Sequence, residues 1–293
     1  MRITVRVPAT SANLGPGFDC LGLALELCNE VTLDTAGSDP SVTWEGEGAG
    51  ELPTDGSDMV SRAIAFAAAE LGDGTTPGFS LHGTNRIPLE RGLGSSSAAA
   101  VAGIVLAHEI RGSVPADPAS VFALASAFEG HPDNAAAAVH GGLTIAVGDE
   151  GGSHTVVRLD PHPFLRPVVL IPQTERLPTD RARRALSPEV SRGDAVANLQ
   201  HTALAVVALT RDPSLLGAAL VDRLHQQARL ELVPEVAAVF GSLQSAGVPV
   251  CVSGAGPALL AFRSEARSVP NPPGGWRILD PEVRPIGYEV DRN

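Results

Sequence analysis

The sequence predicts an α+β chain of two domains, and three observations carry that expectation. At 293 residues the chain is long enough for two ordinary domains. Strand-like and helix-like segments come in groups and mix without a steady βαβ rhythm, which disfavours a doubly wound sheet. A proline cluster at Pro161, Pro163 and Pro167 interrupts the chain near its middle and sets the division at 1–164 and 165–293.

Taken in order, Arg2–Val7 and Leu21–Thr35 carry strand-like apolar content, and Ser41–Glu45 and Gly78–His82 are shorter strand segments. Met59–Leu71 places apolar residues at helical spacing with no internal Gly or Pro, and Ser57 or Asp58 caps it. After Pro88 a Gly/Ser turn runs into an Ala-rich helix, about Ser95 to Ile110. A further helix runs from Asp117 to about Glu129, with Pro118 at its first position. Gly141–Val147, Thr155–Leu159 and Pro167–Ile171 read as strands. Helices follow over Asp180–Leu186, Gly193–Leu209, Pro213–Arg223 and Val233–Ala246, then strands at Pro249–Val252 and Ala258–Phe262 around a Gly-rich turn. Pro270–Gly275 is loop, Tyr288–Val290 closes a sheet, and there is no internal repeat.

Composition narrows the function. Hydrophobic residues make up 44% but aromatics only 4%, so the cores must be built from Ala, Val and Leu. A net charge of −12 argues against a nucleic-acid partner, which needs a basic footprint, and against an anionic membrane surface. No apolar run reaches the roughly 18 to 20 residues that span a bilayer. The first residues form a strand-like pattern rather than a signal peptide, and a cytoplasmic location is expected. Cys20, Cys28 and Cys251 lack metal-ligand spacing and read as reduced thiols. All 21 basic residues are arginine. Without lysine there is no Schiff base, no Walker A loop and no protein-kinase strand lysine. Nucleotide chemistry here must rest on backbone amides, hydroxyls, arginine and a metal ion.

Pro88-Leu89-Glu90-Arg91-Gly92-Leu93-Gly94-Ser95-Ser96-Ser97-Ala98 leads straight into a helix. Gly92 and Gly94 let the backbone approach an anion closely, and the helix start offers unsatisfied amides and a positive dipole end. Three serines add hydroxyls, one of which can ligate Mg²⁺; an ordinary Gly-rich turn with a Ser cap is the competing reading. This segment resembles the phosphate loop of the GHMP small-molecule kinases, Pro-x-x-x-Gly-Leu-Gly-Ser-Ser. Pro8-Ala9-Thr10-Ser11-Ala12-Asn13-Leu14-Gly15-Pro16-Gly17-Phe18-Asp19 is similar to that superfamily's first motif in the form homoserine kinases carry, and Val252-Ser253-Gly254-Ala255-Gly256-Pro257 to its third. The resemblance implies a ribosomal-protein-S5-domain-2-like first domain and a ferredoxin-like α/β sandwich as the second, with the active site in the cleft between them. It also implies ATP-dependent phosphorylation of the L-homoserine hydroxyl, in threonine biosynthesis. Residues 88 and 91–98 then hold the nucleotide: Pro88, Arg91, Gly92, Leu93, Gly94, Ser95, Ser96, Ser97 and Ala98.

Glu129-Gly130-His131-Pro132-Asp133-Asn134 packs four hydrogen-bonding side chains into six residues, either as a polar capping turn or as a site. As a site, Glu129 with Ser96 ligates Mg²⁺, a hard cation that takes oxygen donors. His131, Asp133 and Asn134 orient the acceptor's hydroxyl and amine, and homoserine kinases carry a similar segment. An amino-acid acceptor also needs its carboxylate neutralised, a task suited to arginine's planar fork. Carried over from the family by position, Thr179, Arg183 and Arg229 contact the acceptor. Likewise Asp19 holds the hydroxyl and Asn13 the amino-acid backbone, with plain Asx turns as the alternative. Asp19 and Asp133 are both open as proton acceptors beside Glu129 in the catalytic set, or no strong base is needed.

Four places depart from the family pattern. Met59 stands where homoserine kinases commonly have Asn, so adenine is expected to be held by packing and backbone groups. Ala135-Ala136-Ala137 replaces Val-Ala-Pro, Gln227-Ala228 replaces Pro-Tyr, and Pro270, Pro272 and Pro273 cut short the helix after the third motif. Two other functions stay in view: a kinase for a sugar or isoprenoid alcohol, and a catalytically silent ATP-binding regulator. Assembly as a homodimer is left open.

Overall fold

Val5, Val7 and Ala9 on β1 (Arg2–Ala12) and Leu21, Leu23 and Leu25 on β2 (Leu21–Asp34) recur at every second residue, and all are buried. That alternation lays the floor of the first sheet. The computed structural model describes residues 1–35, 41–72, 78–112, 116–149, 154–264 and 268–292. β2 pairs antiparallel with β1 along its whole length, with a shift of register at Pro8/Ala9 where proline offers no N–H. Its other edge divides: residues 30–34 pair with β4 (Ser80–Asn85) and residues 21–23 with β5 (Leu143–Gly148). β3 (Ser41–Gly46) lies parallel to β4, the two being joined through α1 (Met59–Glu70), and β6 (His154–Leu159) pairs with β5.

Asp58 caps α1 by accepting from the Ser61 amide. The Ala-rich α2 (Ser95–Arg111) is buried on most of its circumference, as expected of a helix that is apolar all round. Gly103 lets it lie against α1: a Cβ there would stand 2.5 Å from Val60 O and 2.7 Å from Ala63 Cβ. α3 (Pro118–Glu129), capped by Asp117, and α4 (Asp133–His140) complete this layer.

The second sheet runs β10 (Trp276–Leu279), β7 (Pro167–Pro172), β9 (Leu259–Phe262), β8 (Val250–Val252), all antiparallel. Both its faces are covered. Val168, Leu170 and Leu259 pack with Val239, Phe240 and Leu243 of α9 (Pro234–Ser245). Val169, Ile171, Leu260 and Phe262 join the large core, with Ala205 and Leu209 of α6 (Arg192–Thr210). The short helices α5 (Thr179–Arg184), α7 (Leu216–Ala219) and α8 (Gln226–Glu231) lie between these elements in the chain.

The structure differs from the sequence expectation at three places. The helix expected over Pro213–Arg223 is a 3-10 turn, Pro213–Leu215, followed by α7 alone. Asp222 ends it by accepting from the amides of Leu224, His225 and Gln226, which starts α8 instead. β10 follows the proline-rich stretch, where the sequence suggested only a truncated close. Last, the tail returns to the first sheet, where β11 (Glu289–Arg292) pairs with β1. Arg284 is buried and pairs with Glu26 and Glu289, while Arg292 reaches Glu109 on α2 at 2.6 and 2.8 Å. Residues 165–292 therefore supply strands to both sheets. Among the described residues no helix is long and apolar enough to cross a membrane.

Candidate active site

Three glycine-bearing segments, far apart in sequence, press together at the mouth of α2. Gly92 has φ +73°, and a Cβ on it would lie 2.1 Å from Ser253 O. Gly94, with φ +67°, is the residue from which α2 starts, and a Cβ there would lie 1.9 Å from Thr10 Oγ1. No other residue fits either position, on conformation or on space. The contacts are mutual: Thr10 N donates to Leu93 O at 3.1 Å and Ala258 N to Arg91 O at 3.2 Å. Ser253 Oγ donates to Gly92 O at 2.7 Å, and Gly254 N to Ala12 O at 3.1 Å. The result is a cleft of about 900 Å³ lined by the loop from Leu89 to Ala98.

On one side of the loop, Glu129 at the end of α3 accepts from Ser96 Oγ at 2.6 Å and also from Ser97 Oγ. Burial pushes its carboxyl pKa up, and the two hydroxyls only partly oppose this. Asp133, buried at the first turn of α4, accepts from the Asn134 amide at 2.7 Å. His131 Nδ1 stands 3.6 Å from Asp133 Oδ1, an ion-pair distance rather than a hydrogen bond. Asp133 raises the imidazole pKa against the opposing effect of burial. Thr10 Oγ1 donates to Asn134 Oδ1 at 2.7 Å, which ties this cluster to the first motif and to Gly94.

Farther along lie the arginines. Asp19, itself at φ +52°, receives both prongs of Arg183 at 2.6 and 3.0 Å, and both side chains are half-buried. Arg229 is buried and donates from Nη1 to Gly254 O at 2.7 Å. Burial and then the charge of Arg183 bring its pKa down to about 10. The Phe18 ring meets both guanidinium groups, 5.8 Å from that of Arg183 and 5.4 Å from that of Arg229. Val31, Trp44, Leu52 and Met59 give the cleft an apolar section of its own.

Every residue singled out in the sequence lines this cleft except Pro88, which is buried behind the loop. Two others do work different from that expected. The Arg91 guanidinium turns to the carbonyls of Pro172 and Gln173, at 3.0 and 2.8 Å, and fastens the loop to the end of β7 rather than meeting an anion with its full fork. Desolvation lowers its pKa. The Asn13 amide is engaged on both sides, accepting from Asp19 N at 3.0 Å and donating to Gly254 O at 2.8 Å, so it holds the bend. Sequence reading missed Phe18, Thr10, Ser97 as a second hydroxyl on Glu129, and His225. Among the described residues there is no cluster of three or more His, Cys, Asp or Glu that could hold a metal ion.

One cleft that joins a glycine- and serine-rich helix start to Glu129, Asp133, Arg183 and Arg229 has the parts of a small-molecule phosphotransferase. The profile of the GHMP kinases N terminal domain matches residues 58–142, and that of the GHMP kinases C terminal region residues 202–269. The chain belongs to the GHMP kinase family. It is 45% identical over 266 residues to the homoserine kinase of Streptomyces avermitilis, spanning 90% of this chain and 86% of that one. Against the homoserine kinase of Clavibacter michiganensis subsp. michiganensis it is 46% identical over 269 residues, spanning 90% and 83%. Among solved structures, homoserine kinase from Cytophaga hutchinsonii superposes with a TM-score of 0.82 at 28% identity, covering 99% of this chain and 97% of that one. A putative homoserine kinase from Listeria monocytogenes gives 0.74 at 32% identity, covering 99% of both.

Proposed function

We propose that the protein transfers the γ-phosphoryl group of ATP to the hydroxyl of L-homoserine, giving O-phospho-L-homoserine, a step of threonine biosynthesis. The observation that carries this reading is the position of two arginines, Arg183 and Arg229, across one cleft from the amide-lined mouth of α2. A neutral sugar offers no carboxylate to that pair, and mevalonate offers a carboxylate but no ammonium group for Asp19 beside it.

Phosphoryl transfer through a loose transition state asks chiefly for alignment and charge neutralisation. The amides following Gly94 receive the phosphates, and the apolar section around Trp44 and Met59 receives the adenine. Ser96 and Glu129 would hold Mg²⁺, and the fit is good: both offer hard oxygen donors, and Glu129 is a partly buried carboxylate whose desolvation the two hydroxyls leave under-compensated. The ion would neutralise charge on the transferring group. Arg183 and Arg229 bind the substrate carboxylate. Asp19 already lies against Arg183, so it is placed for the neighbouring ammonium group rather than for the distant hydroxyl. Asn134 and Asp133, next to Gly94 and Glu129, are placed at the reacting end, with His131 beside them.

The test is turnover with Mg-ATP across homoserine, serine, threonine, mevalonate and galactose, with the product identified by mass. L-Homoserine is expected to give the highest kcat/KM and a singly phosphorylated product. A preference for any other alcohol, or none, would overturn the reading.

A further inference from the structure

His225 is 1% exposed and takes no part in the chemistry above. Its Nε2 lies 2.8 Å from Gly15 O, and a carbonyl only accepts, so this nitrogen carries the proton. Its Nδ1 lies 2.9 Å from Arg229 Nη1, and a guanidinium only donates, so this nitrogen offers its lone pair. Both bonds exist together in one form of the ring: neutral, protonated on Nε2. Burial, reinforced by the Arg229 charge, brings its pKa down to about 4. Asp222 is 3.7 Å from Nε2, beyond hydrogen-bond reach. It acts on the backbone instead, accepting from the His225 amide at 2.8 Å and fixing where the ring starts. Phe18 stacks on the ring face, centroids 5.1 Å apart at 27°, and Asn198 Nδ2 and Thr202 Oγ1 hold the adjacent Pro16 carbonyl at 2.6 and 2.8 Å.

We propose that His225 is the positioning residue of the acceptor clamp: as a single fixed tautomer it turns the Arg229 guanidinium towards the substrate carboxylate. The Nε2 bond registers that direction against the Gly15 bend, on which Phe18 and Asp19 ride. Among the described residues Arg229 Nη1 has two partners, His225 Nδ1 and Gly254 O, and its Nε has none. Loss of the Nδ1 acceptor therefore frees the fork to rotate away from its working angle.

Two substitutions separate the ring's halves. In His225→Asn the amide oxygen stands where Nδ1 stood, keeping the acceptor for Arg229 and losing the donor to Gly15. In His225→Gln the amide nitrogen stands where Nε2 stood, keeping the Gly15 bond and losing the acceptor. His225→Gln is expected to raise the homoserine KM roughly tenfold, with kcat and the ATP KM within about twofold. His225→Asn is expected to stay within about threefold on all three. The reverse order, or equal rises in both substrates' KM, would make His225 a scaffold residue and overturn the proposal. In an Arg229→Ala background the Gln substitution should add nothing to the homoserine KM; an additive rise overturns it equally. The inference rests on the carboxylate clamp, and Arg229→Ala alone tests that separately, because an unchanged homoserine KM there removes the clamp whatever His225 does. Imidazole ¹⁵N NMR of the unmodified protein should show the neutral Nε2-protonated tautomer across about pH 5.5 to 8; any other form contradicts this positioning role.

Discussion

Glu129 carries a conflict between stability and chemistry. Its folded-state pKa lies above its unfolded value, so the folded protein binds the proton more readily, and stability falls as pH rises through that raised pKa. Glu129→Gln removes this partly desolvated charge. It is expected to melt higher than the parent in metal-free buffer at neutral pH and to lose roughly a hundredfold or more in kcat. A variant with a lower melting temperature and full turnover would contradict both halves. The same raised pKa sets proton against metal, so the apparent Mg²⁺ requirement should climb as pH falls from neutral, starting above the usual carboxylate range. A requirement flat over that range would count against Glu129 as a ligand. Arg229→Ala should raise the homoserine KM by about 2 kcal/mol, or roughly thirtyfold, in steady-state kinetics. Glu129 and Asp133 stood out because four polar side chains fall within six residues, whereas Arg183 and Arg229 were singled out only through the family resemblance. His225 was not, since its partners lie at 15 and 229 and its ring states its role only once folded. The one visible hint was its place four residues before Arg229, on one face of a helical turn.

At the scale of elements, the loop before α2 is the strained piece. Gly94→Ala places a Cβ 1.9 Å from Thr10 Oγ1 in a left-handed conformation. A cost of about 1–3 kcal/mol follows, seen as a lower melting temperature together with a raised ATP KM. Unchanged nucleotide affinity would detach the loop from the phosphates. This turn and helix were plain in the sequence, because two glycines, three serines and an alanine run each specify the same local structure. The α7 region was overread: apolar residues from Pro213 to Arg223 suit a helix, but Asp222 captures three amides and restarts the chain. β10 was missed because Trp276–Leu279 is a half-exposed edge strand, with too little burial to print an alternating pattern.

At the scale of the whole molecule, the chain's last strand completes its first sheet. Arg284 meets Glu26 at 2.8 and 2.9 Å beneath that return, with its own side chain only 4% exposed. Arg284→Ala leaves Glu26 without its partner. Because Glu26 is partly exposed, the expected loss is about 1–3 kcal/mol, below that of a fully buried pair, and is readable by thermal melting. Length and the proline cluster led to an expectation of two domains, but the tail's destination was not legible. Pairing between residues 3–6 and 289–292 leaves no local trace in either segment.

The account stands on a lysine-free chain holding triphosphate through the amides at the mouth of α2. A crystal structure with a non-hydrolysable ATP analogue tests it most directly. The β- and γ-phosphates are expected within hydrogen-bond distance of the amides that follow Gly94, with Ser96 and Glu129 beside them. Phosphates bound elsewhere in the molecule, or on arginine side chains alone, would contradict it.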